Sequence, residues 1–232
     1  MTGLLEPAAL GTELLDDPCA AAAQVCESLR NIARANRWFG GASAVRFGLE
    51  RALPRGGSPR ALSLLDVGTG IGDLPRMAVA WAARRGVALR PVGLERHGAA
   101  ARLARDGGLA AVVGDGGALP FRSASVDLVL LSQVAHHFAP AAIVRLLREC
   151  ARVARGAVIV ADLRRSPLAA FGFRLAGTLL RFDRDTLRDG VTSLRRGFTA
   201  ASLAALLAEA GGLAQVTRRP GARLVAVWRP TA

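Results

Sequence analysis

The sequence predicts an α/β fold: a doubly wound, mostly parallel sheet with an antiparallel C-terminal hairpin and helical segments that cover it. Short apolar runs alternate with helix-like segments along the middle of the chain, at the spacing of βαβ units. The last two apolar runs are separated by residues 218–222, a connection too short to hold a crossover helix, so the strands they predict must be antiparallel. With 232 residues, of which 51% are hydrophobic, the chain can bury the core of one such domain.

Turn and cap residues delimit the predicted elements. Pro75 lies in the first turn of a helix that Gly86 ends, and Thr199 caps a helix that Gly211 and Gly212 close. Apolar residues share one face of a further helix, over 141–155. Five parallel strands are predicted, over 62–67, 91–95, 110–114, 126–132 and 157–161. The final two strands lie over 213–217 and 223–228, and the helices over 20–36, 42–53, 73–85, 98–105, 141–155 and 199–210.

Two stretches lie outside the predicted sheet. Residues 1–60 are interpreted as an N-terminal helical cover, and residues 163–198 as a helical lid inserted after the fifth strand. Neither stretch is long enough to form a second domain. The domain organisation is therefore a cover over 1–60 and a core over 61–232 that carries the lid.

Composition excludes several classes of protein. No run of eighteen apolar residues occurs, which excludes a membrane-spanning helix, and the N-terminus does not resemble an export signal. The three cysteines lack the spacing of a zinc site and suit a reducing cytoplasm, where we expect the protein to act. The formal charge of +13 comes from arginines spread along the chain, without a basic groove lined by aromatic residues. We therefore expect no nucleic-acid partner.

The strongest motif is a glycine-rich turn between the first strand and the next helix. Glycines here let the backbone turn sharply and approach a ligand closely. Asp66 stands two residues before Gly68, where its carboxylate would repel a pyrophosphate but can attract the ammonium group of an amino acid. The third glycine of the dinucleotide-binding pattern would fall at position 73, which is Asp73, so the run reads Gly-x-Gly-x-Gly. The motif thus favours an adenosine-bearing amino acid over a dinucleotide.

Polar residues also end the next predicted strands. Glu95 ends the second strand and can accept hydrogen bonds from ribose hydroxyls, while Asp115 follows the third and can accept one from an adenine amino group. Gln133 and His136-His137 follow the fourth strand. Ligands of open α/β sheets bind beyond the carboxyl ends of the strands. The sequence therefore predicts one binding site at this edge.

These motifs together resemble class I S-adenosylmethionine-dependent methyltransferases, and most closely the small-molecule branch that includes the ubiquinone and menaquinone biosynthesis enzymes. The resemblance covers roughly residues 62–162 and implies a seven-stranded Rossmann-like sheet with S-adenosylmethionine as cofactor. It also implies a set of cofactor-binding residues: Asp66, Gly68, Thr69, Gly70, Glu95, Arg96, Asp115, Gly116 and Gln133.

Methyl transfer to oxygen or to an activated carbon requires the acceptor to lose a proton. We predict His137 as the base, with His136 as a second candidate, because histidine titrates near neutral pH. Asp162, at the end of the fifth strand, could compete for this role. We expect only one of the two histidines to face the pocket, and we predict no metal site.

The predicted lid indicates the acceptor. Its apolar residues, flanked by arginines, are either a core-facing helix or a cover over a lipophilic acceptor that rests on an anionic membrane surface. On the second reading, Phe171 and Leu175 contact the acceptor. The predicted function is methylation of a hydrophobic phenolic, quinone-like or polyketide-type molecule, at oxygen. C-methylation of a quinone precursor, an NAD(P)-dependent oxidoreductase, a nucleic-acid-binding module and a catalytically silent relative remain open alternatives, as does the oligomeric state.

Overall fold

The computed structural model describes residues 11–17, 19–53 and 61–230. Its centre is a seven-stranded sheet of order β3-β2-β1-β4-β5-β7-β6. The strands are β1 (Ala61–Val67), β2 (Ala88–Glu95), β3 (Ala110–Val113), β4 (Val126–Ser132), β5 (Ala154–Leu163), β6 (Thr217–Arg219) and β7 (Arg223–Trp228). The first five strands are parallel, whereas β7 is antiparallel to both β5 and β6. The predicted fold class is confirmed.

Helices cover both faces of the sheet. They are α1 (Ala22–Trp38), α2 (Gly41–Ala52), α3 (Asp73–Ala83), α4 (Gly98–Asp106), α5 (Pro140–Val153), α6 (Pro167–Leu179), α7 (Arg184–Arg196) and α8 (Ala200–Glu209). On one face α2 and α3 pack against β1, β4 and β5, and on the other α5 and α8 pack against β1, β4, β5 and β7. Within the described residues, no helix is long and apolar enough to cross a membrane.

Several predicted boundaries differ from the structure by two to four residues, and those of α5 and β6 concern how the sheet is built. Helix α5 ends at Val153 and not at residue 155, because Ala154 already pairs with Val126 in the sheet. The strand predicted over 213–217 starts only at Thr217, where pairing with β7 begins, while Ala214 and Val216 pack against the core without pairing. The polar residues 217–219, just before the turn that leads into β7, form the hydrogen bonds with β7. The apolar pattern therefore predicted this strand too early in the chain.

The segments predicted as cover and lid are helical where they are described. Residues 1–10 and 54–60 of the predicted cover lie outside the described residues. Helix α2 packs on the sheet face, where a β-carbon on Gly48 would overlap Ile159. By contrast, a 3₁₀ helix at Leu14–Asp16 and residues of α1, α6 and α7 lie around the cavity described next. Their role as a cover stays a prediction.

Candidate active site

A cavity of about 800 Å³ lies beyond the carboxyl ends of β1, β2 and β4. The loops that follow these three strands form its floor, and α1, α6, α7 and the 3₁₀ helix Leu14–Asp16 form its walls. All the residues predicted to bind a cofactor or to catalyse line this cavity: Asp66, Gly68, Thr69, Gly70, Glu95, Arg96, Asp115, Gly116, Gln133, His136 and His137.

The glycine-rich turn after β1 requires glycine at two positions. Gly68 and Gly70 have φ angles of +72° and +55°, which other residues adopt only with strain. A β-carbon on Gly68 would overlap the side chain of Val134, on the loop after β4. The backbone amides of Gly68 and Thr69 donate to the carbonyl of Leu94, which fixes the turn against β2. The turn therefore presents bare backbone to the cavity.

Asp66 lies at the end of β1 and is almost completely buried. Its carboxylate accepts a hydrogen bond of 2.7 Å from the Thr69 hydroxyl. Burial raises the pKa of Asp66 to about 7, an effect that the Thr69 hydrogen bond opposes and the charges of Asp73 and Glu95 reinforce. An anionic group so poorly solvated favours a cationic ligand.

Glu95 is held by the backbone on both sides. Its two carboxylate oxygens accept hydrogen bonds from the amides of Gly70 (2.8 Å) and His97 (2.9 Å). Each oxygen keeps a second lone pair, so the carboxylate can still accept hydroxyl donors from the cavity. The adjacent Arg96 donates to the carbonyls of Leu15 and Asp16 and so ties the 3₁₀ helix to the end of β2.

Asp115 and Gly116 form a tight turn after β3. One oxygen of Asp115 accepts from the amide of Gly117 at 2.8 Å, while the side chain stays exposed at the cavity edge. A β-carbon on Gly116 would lie 2.9 Å from Leu146, so a larger residue would push into the core. Both residues of this turn line the cavity.

Gln133 belongs to a buried polar chain that the sequence did not reveal. Its amide nitrogen donates to Asn36 at 2.6 Å, and its oxygen accepts from Arg223 at 2.6 Å. Asn36 in turn donates to Asp73 at 3.0 Å. These residues come from α1, α3, β7 and the loop after β4, and therefore no local pattern could connect them.

His136 is buried and paired with a buried carboxylate. Its Nδ1 lies 2.7 Å from Oδ1 of Asp162, which also accepts from the backbone amide of Leu163, while Oδ2 of Asp162 accepts from the amide of Ala135. Burial opposes ionisation of Asp162, but His136 and these hydrogen bonds hold its pKa below the ordinary value. Among the described residues, no group bonds to Nε2 of His136, and the residue lines the cavity.

His137 also lines the cavity, contrary to the expectation that only one histidine would. Its Nδ1 lies 2.8 Å from Asp16 and its Nε2 lies 3.9 Å from Glu13, both on the N-terminal segment. Arg196 of α7 pairs with both carboxylates, at 3.1 Å and 2.7 Å. Sequence reasoning missed Glu13, Asp16 and Arg196, since they stand more than 100 residues from their partners.

Comparisons with known proteins agree with this geometry. Residues 65–161 match a family described as a methyltransferase domain, whereas no curated protein matches the chain significantly. A SAM-dependent methyltransferase from Aquifex aeolicus has a TM-score of 0.58 and 15% identity, covering 98% of this chain and 100% of that one. Human N-acetylserotonin methyltransferase, solved with SAM, has a TM-score of 0.63 and 15% identity, covering 91% of this chain and 57% of that one. The pyocyanin biosynthetic protein PhzM has a TM-score of 0.61 and 22% identity, covering 97% and 63%.

At these identities the solved structures show the fold, which is that of the Rossmann-like methyltransferases. The sheet order and the glycine-rich turn agree with the family match, which identifies a methyltransferase domain over residues 65–161. The chain therefore carries a methyltransferase domain, for which S-adenosylmethionine is the cofactor. Its place in the branch of ubiquinone and menaquinone biosynthesis stays a prediction.

Proposed function

We propose that the protein methylates a hydroxyl oxygen of a lipophilic aromatic acceptor. The observation that carries this proposal is His136, which is paired with the buried Asp162 and lines a cavity shared with the glycine-rich turn. A general base is useful for acceptors such as phenols, which must lose a proton during transfer. Two of the similar structures are named for aromatic molecules: PhzM for pyocyanin biosynthesis, and the human enzyme for the methylation of N-acetylserotonin.

The residues of the cavity fit the cofactor. We assign Asp66 to its ammonium group, Glu95 to its ribose hydroxyls, and Asp115 and Gly116 to its adenine. The absence of side chains at Gly68 and Gly70 allows close backbone approach. When bound, the cofactor supplies an electrophilic methyl group. The chain itself has to bind the acceptor, orient its oxygen and remove its proton.

The geometry favours His136 over His137 as the base. A hydrogen bond from Nδ1 to the buried Asp162 fixes the tautomer in which Nε2 carries a free lone pair. Asp162, which the sequence left as a competing base, is the orienting partner in this assignment. His137 is less firmly oriented than His136. Its Nδ1 partner, Asp16, lies on the N-terminal segment and also pairs with Arg196.

The reaction can be tested with the methyl-labelled cofactor and matched acceptors. We expect label in the ether product of long-chain phenols, and less in short-chain phenols with the same ring. Label on a ring carbon would instead support the alternative of C-methylation of a quinone precursor. No label in any phenol, quinol or fatty acid, with the cofactor bound, would contradict the proposal and favour a catalytically silent protein.

Helix α6 supports a lipophilic acceptor and a membrane contact. Four large apolar residues on its outer face form an exposed stripe: Leu168, Phe171, Leu175 and Leu179. Each is between 58% and 81% exposed, and soluble proteins rarely expose so many large apolar residues side by side. The helix has no acidic residue, and Arg174 borders the stripe. Leu168 also lines the cavity, so the stripe is continuous with the cavity wall. We propose that this stripe rests on an anionic bilayer from which the acceptor enters.

This arrangement corrects one expectation. Phe171 and Leu175 were expected to contact the acceptor, but they point away from the cavity, and Ala169 and Phe173 line it instead. The reason is the register of α6, in which the smaller residues and Phe173 face α7.

Charged substitutions on the stripe should abolish vesicle binding. We expect Leu175→Asp to lower binding to phosphatidylserine vesicles at least tenfold in a co-sedimentation assay, since it adds a desolvation cost and repulsion at the surface. Leu213→Asp is the matched control, because Leu213 is 90% exposed but lies outside α6. Equal effects of the two substitutions, or equal binding to zwitterionic vesicles, would contradict the membrane contact.

The raised pKa of Asp66 predicts two opposite pH dependences. Without cofactor, the protonated carboxyl suits its buried site, so the stability it contributes is present at acidic pH and is lost between about pH 4 and pH 7. Cofactor affinity should change in the opposite sense, because only the ionised carboxylate attracts the ammonium group. We expect binding to be about tenfold weaker at pH 6 than at pH 8. Calorimetric titration measures the affinity, and thermal unfolding measures the stability.

The variant Asp66→Asn serves as the control for both trends. It should bind the cofactor weakly at every pH, and its Tm should lack the decrease that the wild-type protein shows between pH 4 and pH 7. A wild-type affinity that stays constant from pH 6 to pH 8 would show that Asp66 does not contact the ammonium group.

A further inference from the structure

One cluster of side chains at the cavity wall joins the proposed base, His136, to two residues that have no role in the proposed transfer, Glu13 and His137. Glu13, His136 and His137 each offer one ligand atom, and these three atoms lie within 4.8 Å of one another. We propose that this cluster binds a divalent transition-metal ion such as Zn²⁺, and that the bound ion inhibits methyl transfer. The second half of this statement rests on the proposed function, whereas the first does not.

Carboxylate partners orient both histidine rings in the way that is common in metal sites. Nδ1 of His136 is bonded to Asp162 and Nδ1 of His137 to Asp16, at 2.7 Å and 2.8 Å. Histidines that ligate metals almost always bond to a carboxylate or carbonyl through the other ring nitrogen in this way. In both rings Nε2 therefore keeps a lone pair that can bind an ion.

The distances suit one ion with a small closing movement. Ligands at about 2.1 Å from a shared ion lie roughly 3 to 4 Å apart. Nε2 of His137 is already 3.9 Å from an oxygen of Glu13. The third ligand, His136, is 3% exposed, and its Nε2 has no partner among the described residues. A buried polar atom of this kind usually has a partner, and an ion would provide one.

The local charge also favours a cation. Glu13, Asp16 and Asp162 place three carboxyl groups around the two rings, against the guanidinium groups of Arg196 and of Arg223, whose charge interacts with Asp162. Arg196 occupies one oxygen of Glu13, and the other oxygen faces His137 and the Ser193 hydroxyl. A divalent ion would balance the remaining negative charge.

The donor set selects the class of ion. Two imidazole nitrogens and one carboxylate suit Zn²⁺, Co²⁺, Ni²⁺ or Fe²⁺, whereas Mg²⁺ and Ca²⁺ prefer all-oxygen sites. Inhibition follows from the lone pair of His136, because Nε2 cannot take a proton from the acceptor while it holds a metal.

The experiment uses Co²⁺ as a spectroscopic probe of the full-length protein. We expect one equivalent of Co²⁺ to give the visible absorption of a site with nitrogen ligands of low coordination number. His137→Asn should abolish this absorption, and Asp16→Asn should weaken Co²⁺ binding about 10- to 100-fold through its loss of the Nδ1 partner. His97→Asn is the matched control, because His97 is the only other histidine and lies outside the cluster.

Each variant should bind the cofactor as tightly as the wild-type protein, which shows that it is folded. A Co²⁺ spectrum unchanged in His137→Asn, or lost in His97→Asn, would overturn the site. Inhibition is measured separately, as the rate of methyl transfer with Zn²⁺ and with a chelator. Equal rates under the two conditions would overturn the proposal that the bound ion inhibits the enzyme. If Co²⁺ binds but the metal-free enzyme, kept in chelator, transfers no methyl group, the metal site stands and the proposed function is refuted instead.

Discussion

Replacing His136 with asparagine should lower kcat for methyl transfer by about 100- to 10,000-fold, which is the usual contribution of a general base. Asparagine can still donate a hydrogen bond to Asp162, and so the buried carboxylate keeps a partner and the fold is maintained. The side chain can no longer accept a proton from the acceptor. The measurement is the rate of label transfer under saturating cofactor, in the presence of a chelator that removes any bound ion.

His137→Asn is the comparison for this variant. His137 lines the same cavity and has a similar carboxylate partner, but we expect its replacement to lower kcat less than tenfold. The reverse order of the two effects would return the role of base to His137, as the sequence suggested. Unchanged cofactor affinity in both variants would confirm that the loss concerns the proton and not the binding site.

The ends of the first four strands could be predicted because each carries its own local signal. A glycine-rich turn, an acidic residue or a histidine follows an apolar run directly, and parallel strands bring these ends to one edge. Gly68, Glu95 and Gln133 therefore all line the cavity, although they are far apart in the sequence. Local signals also located α8, whose cap at Thr199 is present.

The walls of the cavity could not be predicted, because they depend on contacts between distant segments. Arg196 meets Glu13 across 183 residues, and Arg223 meets Gln133 across 90. In the sequence these are ordinary arginines among 31 basic residues, with nothing to mark the two that are buried. The outward direction of Phe171 likewise depends on the register of α6 against α7.

Substitution of Gly68 with alanine should remove most of the cofactor binding. The β-carbon would overlap Val134, so the turn has to move, and relief of such overlap costs roughly 1 to 3 kcal/mol. The same turn carries the amides of Thr69 and Gly70, and the Gly70 amide donates to Glu95. A shift of the turn therefore displaces the residues assigned to the cofactor. We expect calorimetry to show at least a tenfold loss of affinity, since about 1.4 kcal/mol is a factor of ten.

Gly86→Ala separates this effect from backbone strain. Gly86 has a φ angle of +73°, against +72° for Gly68, but a β-carbon there would meet nothing within 4 Å. Both variants should lose roughly 1 to 2 kcal/mol of stability from the left-handed conformation, and only Gly68→Ala should also lose cofactor affinity. Val134→Ala added to Gly68→Ala removes the overlapping methyl groups and should recover part of the binding. If Gly86→Ala weakened cofactor binding as strongly, general destabilisation would explain both variants and the close approach at Gly68 would not.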